Sequence, residues 1–153
     1  MNAVDRQIET IKAARERERT DREWFLHCDQ VRKNKLFNNW AAVKREIKRG
    51  IEKIHHDFPG EEIMYDEVPE RTITLRRFRF PSATVTAAIS LDGATISIDT
   101  LGHRNATDMG TETHLEVEIK VEGDATYYSD DDQPQSADEV AAKILKPILD
   151  SLR

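Results

Sequence analysis

The stretch Ala83–Leu101, ATVTAAISLDGATISIDTL, constrains the fold more than any other part of this chain. Asp92-Gly93 is a dipeptide favoured in the two-residue type I′ hairpin turn, where both central residues need positive φ. Folding about it pairs Leu91 with Ala94, Ile89 with Ile96, Ala87 with Ile98 and Val85 with Thr100. Those side chains then share one face, while Thr84, Thr86, Ser90, Thr95, Ser97 and Asp99 point the other way. Two strands that agree on register and on face belong to an antiparallel sheet with one side on a core and the other in water.

The apolar residues that must cover such a sheet are limited. Of 153 residues, 38% are hydrophobic and 34% charged, so part of the chain is expected to contribute nothing to the core. The length suits one domain. No apolar run approaches the roughly 20 residues that cross a bilayer. The opening MNAVDRQIET has neither the basic nor the apolar region of a signal peptide. One cysteine, Cys28, excludes an intrachain disulfide. These features predict a cytoplasmic protein with no membrane association.

Residues 3–33 contain no proline or glycine and are rich in helix formers. Val4, Ile8 and Ile11 begin an apolar stripe that vanishes through Arg15–Arg19 and resumes with Trp24, Phe25, Cys28 and Val31. The charged middle cannot lie on a core, so residues 1–35 read as a helical arm. From residue 36 the pattern is continuous. Phe37, Trp40, Val43, Ile47, Ile51, Ile54 and Phe58 recur at spacings of three and four, opposite Lys44, Arg45, Lys48, Arg49, Glu52 and Lys53. Asn34, Asn38 and Asn39 are each able to cap a helix. Two helices with a break near 34–38 are expected, a single kinked helix being the alternative, and Pro59-Gly60 ends the second.

Strands are expected at 62–68, at 72–80 before Pro81, through the hairpin at 84–101, and around Leu115–Val121, with a turn at Gly123-Asp124. A short edge strand at 125–128 is optional, and Asp130–Pro134 reads as a polar linker. Ser136 and Glu139 form a capping-box pattern that opens a final helix with Val140, Ile144, Ile148 and Leu152 on its apolar face. The fold class is therefore α+β: two N-terminal helices, an antiparallel meander of about five strands and a C-terminal helix, helices on one sheet face. The domain boundary falls between a 1–35 arm and a 36–153 α+β domain. Trp40, Ile47, Ile51 and Ile54 are expected in the core beside Ile89, Ile96, Val117 and Ile148.

No motif for function has comparable definition. The net charge of −6 divides unevenly, with 14 basic and 10 acidic residues up to Asp57, and 9 basic and 19 acidic from Phe58 onward. A basic helical half suggests nucleic acid, but its alternating signs favour attraction between the halves or to a second copy. Arg76, Arg77, Phe78, Arg79 and Phe80 mix cations with aromatics, the chemistry of a base-stacking platform, without the glycines of an RNA-recognition-motif octapeptide. The competing reading puts the Phe side on the helices and pairs the Arg side with acidic neighbours such as Glu116 and Glu118. His103, Arg104, Asn105 and Asp108 gather a base, a cation and a carboxylate in the loop 102–110.

Other candidates weigh less. His55, His56 and Asp57 with His27 and Cys28 resemble a metal set, yet lack HxxxH or CxxC spacing, and a helix fold-back near 36 would separate them by more than ~10 Å. Cys28 reads as a buried packing residue. Asp130–Asp132 lacks the spaced ligands of a calcium loop. No catalytic motif, cofactor motif or metal site is expected. The leading expectation is a non-catalytic interaction module assembling through residues 1–35 with a second copy or a protein partner. The alternatives are nucleic-acid binding through helix 36–57 and Arg76–Phe80, and small-ligand binding through loop 102–110.

Overall fold

The computed structural model describes residues 2–68, 71–122, 125–130 and 133–153, with the backbone alone at 122, 125–127 and 130. The expected turn at Gly123-Asp124 and the centre of the expected linker, Asp131-Asp132, lie outside the described residues.

Helix α1 runs over Ala3–Asp57 without a break, so the two expected N-terminal helices are one. Two of the asparagines bond within the helix instead of capping a new one. Asn34 Oδ1 accepts from Gln30 Nε2 at 3.0 Å, and Asn39 Nδ2 donates to the Lys35 carbonyl at 2.9 Å. No proline or glycine at 34–38 forces a stop. The chain divides into two compact units, residues 1–34 and 35–153.

In the first unit nearly every residue of the helix is exposed. Val4, Ile8, Ile11, Trp24, Phe25, Leu26 and Val31 are between 40% and 68% exposed. Cys28 is exposed, not buried as expected. It lies on the stripe with Trp24 and Val31, and those neighbours are themselves in water. Short-range ion pairs, Lys12–Glu9 at 3.6 Å and Lys33–Asp29 at 3.1 Å, support the helix locally.

The second unit holds a seven-stranded antiparallel meander rather than the expected five. Its strands are β1 (Met64–Glu67), β2 (Thr72–Arg77), β3 (Ser82–Ile89), β4 (Thr95–His103), β5 (Thr111–Glu122), β6 (Ala125–Asp130) and β7 (Gln133–Gln135), paired in chain order. Of the two extra strands, β6 takes in the optional edge strand at 125–128 and β7 comes from the supposed linker. Its Pro134 sits opposite Ser129 on the outermost strand, where a missing N–H costs no ladder bond. Helix α2 spans Ala137–Ser151, and its capping box is formed: Ser136 Oγ accepts from Glu139 N at 3.2 Å, and Ser136 N donates to Glu139 Oε1 at 3.4 Å.

The β3–β4 register is the expected one, with Val85 opposite Thr100, Ala87 opposite Ile98 and Ile89 opposite Ile96. The turn is wider than two residues. Ser90 N donates to the Thr95 carbonyl at 2.8 Å, Gly93 N donates to the Ser90 carbonyl at 3.0 Å, and 91–94 form the loop. Ser90 Oγ and Asp92 Oδ1 both accept from Ala94 N, so side chains satisfy the donors that a tighter turn would leave to backbone. Leu91, expected opposite Ala94 on the inner face, is instead 80% exposed at the loop tip.

One core lies between the sheet's inner face, residues 35–57 of α1, and α2. Trp40, Ile47, Ile51, Ile54, Ile89, Ile96, Val117 and Ile148 are all buried in it. Leu36 joins them, although the amphipathic pattern starts the stripe at Phe37. Phe58, expected on that stripe, is half exposed where the helix has ended. A Cβ on Gly50 would come within 2.6 Å of Leu145 Cδ1, so this glycine leaves room for that side chain.

Candidate functional site

The cation–aromatic segment does not form one strand face. β2 ends at Arg77, and Phe78, Arg79 and Phe80 make the turn into β3 through a cis Phe80–Pro81 bond. Alternation from Ile73 and Leu75 carries Arg77 inward, where it is only 7% exposed. Its guanidinium holds Glu61 by two bonds, Nε to Oε2 at 2.9 Å and Nη2 to Oε1 at 3.1 Å. Nη1 donates to the Arg79 and Pro81 carbonyls at 3.1 and 2.6 Å, tying the turn to the core. That pairing holds the Glu61 carboxyl below its ordinary range.

An arginine of the segment does pair with an acidic neighbour, Glu61, but neither the expected Phe placement nor pairing with the named glutamates is found. The phenylalanines do not meet the helices, since Phe78 is 64% and Phe80 52% exposed. The arginines do not pair with Glu116 and Glu118, because β5 lies beyond β3 and β4 in the sheet. What remains at the surface is Phe78, Phe80, Arg76 and Arg79, with Met64 opposite Arg76 on β1.

In the loop after β4, Asp108 and Asn105 spend their side-chain oxygens on the loop itself. Asp108 accepts from Arg104 N at 2.9 Å and from Gly110 N at 3.1 Å, and these two bonds lower its pKa. Asn105 Oδ1 accepts from the Thr107 backbone and hydroxyl at 3.0 and 2.9 Å. Gly110 has φ +87°, and a Cβ there would sit 2.8 Å from His103 Nε2. His103, Arg104 and Asp108 line a groove of about 240 Å³ that also reaches Asp150 of α2.

The basic side of α1 is partly neutralised within the second unit. Lys44 Nζ lies 2.5 Å from Glu67 Oε1 and Lys48 Nζ 3.5 Å from Glu67 Oε2. The Lys44 hydrogen bond is the main cause that lowers the Glu67 pKa. Burial, then the Glu67 charge, pushes the neighbouring Tyr65 phenol up to about 12. His55 Nε2 accepts from Ile63 N at 3.1 Å, which turns the chain back after α1. Among the described residues, no His, Cys, Asp and Glu are grouped to hold a metal ion.

The sequence reading missed a cluster on the outer sheet face. His114 on β5 stands opposite Asp99 on β4, with Nδ1 2.6 Å from Asp99 Oδ1 and Nε2 3.2 Å from Glu116 Oε1. A carboxylate at each ring nitrogen favours the imidazolium, and the pKa rises, Asp99 being the larger cause. Thr84, Thr86, Leu101 and Glu112 extend this cluster along a groove of about 600 Å³. Alternation alone places Asp99 outward; only the β4–β5 register, set across the 104–110 loop, brings His114 opposite it.

The arrangement offers no nucleophile with a base and an orienting partner among the described residues. No helix among them is long and apolar enough to cross a membrane. Residues 4–31 of α1 carry seven exposed large apolar side chains. Comparison with protein-family models, with curated proteins and with solved structures gives no match.

Proposed function

We propose that this chain is a non-catalytic assembly module, which associates with a second copy through residues 3–34 of α1. The observation that carries this reading is the exposure of seven large apolar side chains, Val4, Ile8, Ile11, Trp24, Phe25, Leu26 and Val31, on one helical segment. Solvated helices of this kind gain little from propensity and take most of their stability from packing an apolar face. Burying such side chains against a partner helix recovers about 25 cal/mol per Å² of apolar surface. Light scattering of the full chain on the order of tens of micromolar is the direct test. The expected mass is twice the 17.6 kDa of one chain, and a monomer at that concentration removes the basis of the reading.

A second reading, nucleic-acid binding, is favoured by the exposed Phe78 and Phe80 beside Arg76 and Arg79. It is weakened by the commitment of Arg77 to Glu61 and of Lys44 and Lys48 to Glu67. Retention on heparin at low salt, lost in Arg76→Ala/Arg79→Ala, is the result that would favour it over assembly.

A further inference from the structure

Resting on the assembly reading, we propose that the two copies of residues 3–34 pair antiparallel, with residues whose numbers sum to 33 at the same level. Val4, Ile8 and Ile11 follow a four-three spacing, and continuing it along the same helix passes through Arg15, Glu18, Arg22 and Phe25. In a parallel, in-register pair each seam residue meets its own copy, so Arg15, Glu18 and Arg22 would face like charges at successive layers. Reversing one helix changes each of those encounters. Ile8 then lies level with Phe25, Arg15 with Glu18, and Ile11 with Arg22, whose methylene stem packs on it while its head stays in water.

Beside the seam, Lys12 falls level with Asp21, and Glu16 with Arg17. Across residues 3–30 no two carboxylates, and no two of Lys and Arg, share a level in this register. The two-fold axis repeats every pair, so each favourable encounter counts twice. Four exposed seam hydrophobics, Val4, Ile8, Ile11 and Phe25, thus cluster toward the two ends, with opposite charges across the middle.

Cys28 supplies the probe, since it is the chain's single cysteine and is exposed. A spin label on it in the full-length protein reports the orientation directly. The antiparallel register separates the two labelled positions by 23 residues along the axis, about 35 Å at 1.5 Å per residue. A distance below about 20 Å from a dimer means parallel helices and overturns this inference while leaving assembly intact. No intermolecular distance, with a monomeric mass by scattering, overturns assembly itself.

Charge reversal gives an independent check at solvated positions. Glu18→Arg should weaken self-association about tenfold, by replacing two opposite-charge pairs with two like-charge pairs. Adding Arg15→Glu should restore it. Association unchanged by Glu18→Arg contradicts the register, because in a parallel pair that substitution only exchanges one self-repulsion for another.

Discussion

Gly93 shows how one residue can serve both a turn and a core. Its φ of +75° suits glycine, and it is buried, with Leu36 Cβ 3.0 Å from where its own Cβ would stand. Gly93→Val therefore combines a β-branched residue at positive φ with pressure on Leu36, and should cost more than ~1 kcal/mol. Thr95→Val, on the outer face two residues later, should be mild. Urea midpoints compare them, and equal midpoints would refute the register. On the same outer face, His114 is a titrating cross-strand link. Its folded pKa is raised, so the stability it adds is fully present below its unfolded value near 6.5 and fades as pH rises through the folded pKa. Titration followed by NMR should show Asp99→Asn lowering that pKa more than Glu116→Gln, and His114→Gln should remove the corresponding slope from stability against pH.

At the scale of elements, burial follows the pattern along β2, β3 and residues 36–54 of α1. Ile47 is fully buried on α1 and packs in the core shared with the sheet and α2, so Ile47→Ala should cost about 2–5 kcal/mol by chemical denaturation. A loss within error would mean that this helix face is not a core. The hairpin and α2 were legible because short-range chemistry determines them: a turn dipeptide between alternating strands, and a capping box ahead of an apolar face. The Arg77 site was less so. Counting alternation back from the phenylalanines put the wrong side inward, whereas counting forward from Ile73 and Leu75 gives Arg77 its buried place before the chain leaves the strand. β7 escaped notice because it is three residues long and contains proline. The His114–Asp99 pair was hidden for another reason: Asp99 was read as outward, but its adjacency to His114 depends on a register that the 104–110 loop sets.

For the whole molecule, the separation of burial from exposure along the chain decides what truncation should do. Every buried apolar side chain among the described residues lies between Leu36 and Ile148, within the 35–153 unit. The first unit contributes only solvated helix, whose internal ion pairs are exposed and each add a few tenths of a kcal/mol. Removing residues 1–20 therefore deletes Val4, Ile8 and Ile11 and the start of the charged middle while touching no core contact. In the antiparallel register it also removes the level partners of Phe25 and Glu18. The truncated chain should keep its far-ultraviolet sheet signature and a cooperative unfolding transition, yet elute and scatter as a monomer. Its midpoint should lose the concentration dependence that association gives the full chain, because a dimer is stabilised by mass action and a monomer is not. Loss of the sheet signal on truncation would show that residues 1–20 support the fold. A truncated chain that still dimerises would move the assembly surface off this helix and onto the 35–153 unit.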